Sequence, residues 1–260
     1  MTSDDRSGLP AEDLKRNWER RAGSPYREFY VASHRGWDDE EHVEQQARFD
    51  AAIVLHGLAA ATLAEQDVLE IGCGSGRLAA RIAPRVRSYT GLDIAPTMVE
   101  VAAERLAPHA NARVFVGPGD GIPEACRDRR YGLVYSHAVL IHCPRGIIAA
   151  YVAAAWPLVA PQGRLRLQLR ADPADPEGLE PPENVPQLEA PPPAARPEAL
   201  TGDEQRDLAA IEGELDGTYY MGHAFRYDEV RPLLAETAPG AELSVRRFEP
   251  EHVYAELIRG

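Results

Sequence analysis

From residue 67 onward, short apolar runs typical of strands alternate with stretches that have helical spacing. The sequence predicts strands at residues 67–71, 88–92, 112–116, 131–135, 163–169, 241–248 and 252–258. It predicts helices at residues 76–85, 96–107, 144–158, 203–215 and 227–237. Because strands that alternate with helices form a parallel sheet covered on both faces, we expect a doubly wound α/β fold.

The last two predicted strands are separated by the short segment Glu-Pro-Glu at residues 249–251. Such a short connection favours an antiparallel hairpin at the end of the sheet. We therefore expect a mainly parallel, seven-stranded sheet whose last strand is antiparallel.

The sequence divides the chain into three parts, the last of which contains an insertion. Residues 1–10 are predicted to be a disordered tail, and residues 11–65 a helical N-terminal cap in which residues 47–61 have a strong helical pattern. Residues 66–260 form the α/β domain. An insertion at residues 172–226 precedes the last helix; its first part is rich in proline and acidic residues, which favours an extended or partly disordered segment. This insertion is also a candidate substrate lid.

The chain is acidic, with a net charge of −13 and a pI near 5.1. This charge repels nucleic-acid phosphates, so we expect neither a nucleic acid nor a membrane as a partner. The N-terminal residues are too polar for a signal peptide, and we expect a cytoplasmic protein. The sequence leaves the oligomeric state open.

The first strand runs into a glycine-rich turn, VLEIGCGSGRLAARI at residues 68–82. Glycines in a turn between a strand and a helix let the backbone approach a ligand closely, and the helix start offers free N–H groups. The dinucleotide fingerprint requires a third glycine at position 77, where this chain has arginine. The turn therefore disfavours a nicotinamide dinucleotide, although an oxidoreductase remains an alternative.

The segments VLEIGCGSGRLAARIAP and YTGLDIAPTMVEVAAERL resemble the class I, Rossmann-like S-adenosylmethionine-dependent methyltransferases of the small-molecule type. The resemblance covers roughly residues 66–170 and implies that S-adenosylmethionine is the cofactor of residues 66–260. It implies that Asp93 binds the ribose hydroxyls, that Ile94 and Met98 pack on the adenine, and that Asp120 accepts the adenine amino group. The implied cofactor-binding residues are Glu70, Gly72, Cys73, Gly74, Gly76, Asp93, Ile94, Met98, Asp120, Gly121, Ile122 and Ser136.

The fourth strand lies in YGLVYSHAVLIHCP, where Gly132 replaces the aspartate that is usual in the resembling family. His137 follows this strand and is the first candidate for a general base, because histidine titrates near neutral pH; His223 is the second. The segment contains no carboxylate, so we expect no metal site. Candidate substrate residues are Tyr26, Tyr30, His142, Tyr219 and Tyr220.

These features predict methylation of a small molecule at oxygen, nitrogen or carbon, in specialised bacterial metabolism. Besides the oxidoreductase, a non-catalytic module that binds the cofactor or a partner protein remains an alternative. The sequence does not identify the methyl acceptor.

Overall fold

The computed structural model of the protein describes residues 11–32, 38–181, 201–213 and 222–260. Its centre is a seven-stranded sheet with the strand order β3-β2-β1-β4-β5-β7-β6. The strands are β1 (Asp67–Ile71), β2 (Ser88–Asp93), β3 (Ala112–Val116), β4 (Tyr131–Ser136), β5 (Val159–Arg170), β6 (Ala241–Glu249) and β7 (His252–Arg259).

Strand β7 is antiparallel to both of its neighbours, β5 and β6, whereas β1 to β5 pair in parallel. The sheet is thus mainly parallel with an antiparallel last strand, which confirms the fold predicted from the sequence. The parallel strands all end at the same edge of the sheet, where ligands bind in open α/β folds.

The helices pack on both faces of the sheet and bury its apolar side chains. They are α1 (Ala11–Ala22), α2 (Arg27–Ala32), α3 (Glu40–Leu55), α4 (Ala60–Ala64), α5 (Ala79–Ile82), α6 (Pro96–Leu106), α7 (Arg145–Ala155), α8 (Gly202–Gly213) and α9 (Tyr227–Thr237). One core cluster joins α7 and α9 to one face of β4, β5 and β7, and a second joins α3, α4 and α5 to the other face of β1 and β4.

The strong helical pattern at residues 47–61 does not form one helix. Helix α3 ends at Leu55 because His56 leaves the helical conformation, with φ −52° and ψ 133°, and Gly57 has a positive φ of 71°. A separate short helix, α4, begins at Ala60. The prediction was wrong here because the apolar spacing continues across a backbone break that a glycine permits.

Gly132 packs closely against the side chain of Gln66. A Cβ atom at Gly132 would overlap the side chain of Gln66, which fills the space beside β4. The aspartate of the resembling family would not fit here without displacing Gln66.

The insertion at residues 172–226 contributes α8, which packs on the N-terminal cap. Leu208 is buried against Tyr26 and Tyr30, and the Glu212 carboxylate accepts two hydrogen bonds from the Arg21 guanidinium, at 3.0 and 2.9 Å. The predicted disordered tail at residues 1–10 lies outside the described residues. None of the described helices is long and apolar enough to cross a membrane.

Candidate functional site

A cleft lies where β1, β2 and β4 end, and the cap helices α1 and α2 cover it. The cap contributes Leu14, Trp18, Tyr30 and Val31 to its wall. The sheet side is formed by Glu70, Gly72, Cys73, Gly74, Arg77, Leu78, Asp93, Ile94, Met98, His137, Ala138, Val139, His142, Cys143 and Tyr151. The cleft has a free volume of about 80 Å³, well below the roughly 300 Å³ at the lower end for ligand sites. The cleft is thus smaller than a nucleoside-sized ligand in this structure, and the cap helices form one of its two walls.

The glycine turn after β1 forms the floor of this cleft. Gly72, Gly74 and Gly76 all have positive φ angles, of 80°, 52° and 77°, which side chains other than glycine rarely adopt. A Cβ atom at Gly72 would also lie 2.4 Å from the Val139 side chain. The turn thus needs glycine for its backbone conformation and for close packing.

Asp93 ends β2 and fixes the glycine turn. Its Oδ2 accepts a hydrogen bond from the Gly74 N–H and its Oδ1 from the Ala95 N–H, both at 2.9 Å. Burial raises the pKa of this carboxyl to about 6, against these backbone hydrogen bonds, which lower it. Each oxygen keeps a second lone pair for a ligand hydroxyl.

Glu70 is buried at the end of β1, in the wall of the cleft. Its Oε2 accepts hydrogen bonds from the hydroxyls of Tyr89 and of Tyr135, the latter at 2.6 Å. Burial raises the pKa of Glu70 to about 7, although the two hydroxyls act in the opposite direction. The charge of Glu70 is therefore sensitive to a cation placed in the cleft.

His137 lies at the end of β4, beside a buried ion pair. Its Nε2 is 3.6 Å from Asp50 Oδ1, and Arg77 Nη1 donates to Asp50 Oδ2 at 2.5 Å. The side chains of all three residues are at most 8% exposed. Asp50 belongs to α3, so the cap is tied to both the glycine turn and the candidate base.

Three of the five predicted substrate residues lie in the cap or beside it. Tyr30 and His142 line the cleft, and the His142 ring lies 5.2 Å from the Trp18 ring. Tyr26 is directed away from it, since its hydroxyl donates to Asp207 in α8 at 2.7 Å. Tyr219 and Tyr220 lie outside the described residues.

Several predicted residues are outside the cleft wall as the structure describes it. Ser136 donates to the Ile71 carbonyl at 3.0 Å, and the His223 ring packs edge-on against Phe225, with ring centroids 4.5 Å apart. Asp120 is exposed, and Gly121 and Ile122 are buried next to it. The roles proposed for these five residues stay predictions.

The loop after β3 nevertheless approaches the cleft. A Cβ atom at Gly119 would lie 2.7 Å from Ile94 Cδ1, and Ile94 is part of the cleft wall. Asp120 follows Gly119 directly, so a ligand that packs on Ile94 would have Asp120 near its outer end.

Sequence reasoning did not find Asp50, and it considered Arg77 only as a mismatch to the dinucleotide fingerprint. The charge of Arg77, in a turn that the sequence predicts to be buried, could have indicated this ion pair. A charged side chain in a buried turn needs a buried partner of opposite charge, and helix α3 contains one aspartate, Asp50.

The residues of the cleft fit an adenosine cofactor that carries an amino acid. The glycine turn leaves room for close approach, Asp93 offers acceptors for paired hydroxyls, and Ile94 and Met98 form an apolar surface for a flat base. Among the described residues, no three histidine, cysteine, aspartate or glutamate side chains form a group that could hold a metal ion.

Comparison with known proteins agrees with this geometry. Residues 68–163 match the family described as a methyltransferase domain. Residues 68–163 are therefore similar to a methyltransferase domain, and the sheet that contains them has the Rossmann-like methyltransferase fold. The match and the fold confirm the resemblance inferred from the sequence, and S-adenosylmethionine is the cofactor of this family.

Solved structures of methyltransferases have the same fold at low sequence identity. The complex of DhpI with S-adenosylhomocysteine has a TM-score of 0.57 and 19% identity, covering 96% of this chain and 97% of its own. CcbJ from Streptomyces caelestis has a TM-score of 0.58 and 16% identity, and the match covers 93% of this chain and 99% of CcbJ. The N-methyltransferase NodS from Bradyrhizobium japonicum has a TM-score of 0.53 and 14% identity, and the match covers 95% of this chain and 98% of NodS. No curated protein matches the sequence.

Proposed function

We propose that this methyltransferase acts on a small molecule in the cytoplasm, in specialised bacterial metabolism, with His137 as the general base. The observation that carries this proposal is the place of His137, at the end of β4 in the wall of the cleft that fits the cofactor. The chain's net charge of −13 supports a small molecule over a nucleic acid.

The glycine turn and Asp93 would hold S-adenosylmethionine, which would supply a methyl group on a positively charged sulfur; transfer to the acceptor would break the carbon–sulfur bond and leave S-adenosylhomocysteine. The chain orients the acceptor, excludes water under the cap and removes the acceptor's proton. His137 accepts that proton on its imidazole, and the Asp50 carboxylate 3.6 Å from Nε2 stabilises the resulting cation.

Cofactor binding is the first test. Isothermal titration calorimetry with S-adenosylhomocysteine should show one site on the wild-type protein and a much weaker one on Asp93→Ala. If the folded wild-type protein binds neither S-adenosylhomocysteine nor S-adenosylmethionine, the proposed function is wrong.

The role of His137 is tested with a panel of phenols, amines and thiols and with methyl-labelled S-adenosylmethionine. For a hydroxyl acceptor, His137→Ala should lower turnover by about 10²–10⁴-fold, the usual contribution of a general base, and leave the dissociation constant of S-adenosylhomocysteine within about twofold. His109→Ala, which changes a histidine outside the cleft wall, is the matched control. Full turnover of His137→Ala would exclude His137 as the base.

A further inference from the structure

A second cavity adjoins the cleft, on the face of the sheet beneath α3; we call it the α3 cavity. It has a volume of about 460 Å³, within the range of small-molecule sites. Its walls are formed by Phe49, Ile53, Val54, His56, Tyr135, Ser136, His137, Arg166, Leu167, Gln168, Ser244, Arg246, Phe248, Glu249, Tyr254, Ala255 and Glu256. His137 lines both the cleft and the α3 cavity, so a molecule in this cavity would lie next to the candidate base.

Aromatic and aliphatic side chains form opposite walls of the α3 cavity. Phe49 and Ile53 project from α3, and Phe248 and Tyr254 project from β6 and β7. The Phe248 and Tyr254 rings lie 5.5 Å apart with 38° between their planes. Such surfaces favour a flat apolar ligand, because stacked or tilted rings add attraction beyond the burial of area.

The charged groups of the α3 cavity have partners within the protein. Glu256 accepts from Arg166 at 2.6 Å, and Arg246, which lies 4.7 Å from the centre of the Phe248 ring, donates to Glu180 at 2.7 and 2.8 Å. A charged ligand would have to break such pairs to be neutralised. The cavity therefore favours a neutral ligand.

Polar atoms gather where the cavity meets His137. The Gln168 amide donates to the Tyr254 hydroxyl at 3.2 Å and accepts from the Ala138 N–H at 2.7 Å. Gln168 and Tyr254 thus form a fixed hydrogen-bonded border beside the base. A ligand with one polar group would place that group at this end and its apolar body between Phe49 and Phe248.

We propose that the α3 cavity is the methyl-acceptor site, and that the acceptor is a neutral aromatic molecule whose hydroxyl group is directed at His137. This inference rests on the proposed function and adds the acceptor's chemical class. It assigns oxygen as the methylated atom: the hydroxyl proton passes to His137 and the oxygen forms the new bond to carbon.

The test measures binding of 2-naphthol to the protein saturated with S-adenosylhomocysteine, by calorimetry and by naphthol fluorescence. We expect 2-naphthol to bind at one site, and 2-naphthoate and 2-naphthylethylammonium to bind at least about tenfold more weakly. Equal binding of the charged probes would refute a neutral acceptor.

Two substitutions locate the site. Phe248→Ala should raise the dissociation constant of 2-naphthol about tenfold, the equivalent of one aromatic contact. Phe115→Ala is the matched control. Like Phe248, Phe115 lies on an edge strand and has an arginine over its ring, with Arg113 5.7 Å from the ring centre, but its strand is at the opposite edge of the sheet. Ser244→Phe places a ring in the cavity from an exposed position and should abolish 2-naphthol binding.

The outcomes separate this inference from the proposed function. If S-adenosylhomocysteine does not bind, the proposed function fails. If it binds but 2-naphthol does not, or if Phe248→Ala and Phe115→Ala have equal effects, only the acceptor site is refuted. A dimer in light scattering that Ser244→Phe dissociates would show that a second copy covers the cavity, and would also refute it.

Discussion

Replacing Asp50 by alanine should destabilise the protein strongly, because it removes the partner of a buried cation. The Asp50 and Arg77 side chains are 8% and 7% exposed, and the guanidinium donates to Oδ2 at 2.5 Å. Gln46 also donates to Oδ1 of Asp50, at 3.0 Å. Breaking a buried ion pair by removing one partner costs about 3–5 kcal/mol, and we expect Asp50→Ala to lower the free energy of unfolding by this amount.

The assay is urea unfolding at pH 7, followed by circular dichroism and analysed for the free energy and its urea dependence. Asp128→Ala is the matched control: Asp128 pairs with Arg129 at 3.1 Å, their side chains are 54% and 31% exposed, and an exposed pair contributes only about 0–1 kcal/mol. The double variant Asp50→Ala/Arg77→Leu should recover much of the loss, since no unpaired charge remains. A loss below about 1 kcal/mol for Asp50→Ala, or no recovery in the double variant, would refute the reasoning.

The pH dependence gives this prediction a second measurement. Burial tends to raise the pKa of Asp50, but His137 and Arg77 together hold it below its ordinary value. A lowered folded-state pKa adds stability that is present above the unfolded-state pKa, about 4, and is lost as the pH falls through the folded-state value. The difference between wild type and Asp50→Ala should stay constant from pH 5 to 8 and shrink below about pH 4.

Three further predictions concern the cleft and its cover. Because the pKa of Asp93 is about 6 and an ionised carboxylate is the better acceptor, the calorimetric affinity for S-adenosylhomocysteine should fall below pH 6, and Asp93→Ala should weaken it about 10–100-fold. Since the pKa of Glu70 is raised to about 7, this carboxyl makes the wild type less stable as the pH rises from 4.5 to 7. In urea unfolding, the free energy of unfolding of Glu70→Gln relative to wild type should therefore rise by up to about 3 kcal/mol between pH 5 and 8. Glu212→Gln loosens the contact of α8 with Arg21 and should raise the association rate of S-adenosylhomocysteine in stopped-flow fluorescence, whereas an unchanged rate would mean that α8 does not restrain the cap.

Most strands could be predicted to within one residue at each end because each is a short apolar run bounded by turn residues, whereas β5 begins at Val159, four residues before its predicted start. Strand β1 has the predicted bounds, and β2 and β4 each extend one residue further. The helical bounds were predicted less closely. Residues 76–85 contain only one turn of α-helix, Ala79–Ile82, followed by a 3₁₀ turn at Ala83–Arg85, because Pro84 cannot continue the α-helical hydrogen bonding.

The proximity of the candidate cofactor residues could be predicted because these residues lie at the ends of strands that are neighbours in the sheet. Glu70, Asp93 and His137 lie at or just after the ends of β1, β2 and β4, so their proximity follows from the fold. The α3 cavity has no such local signature. Phe49, His137 and Phe248 come from distant parts of the chain, and only the packing of α3 on the sheet brings them together.

Helix α3 connects the cofactor cleft to the proposed acceptor site, so we expect the cap to take part in substrate selection. Asp50 is directed at Arg77 and His137, whereas the adjacent Phe49 and the following Ile53 line the α3 cavity. A shift of α3 would therefore change the position of the base and the width of the proposed acceptor site together. If the α3 cavity is the acceptor site, substitutions in α3 should alter the acceptor while the glycine turn and Asp93, which lie outside α3, stay unchanged.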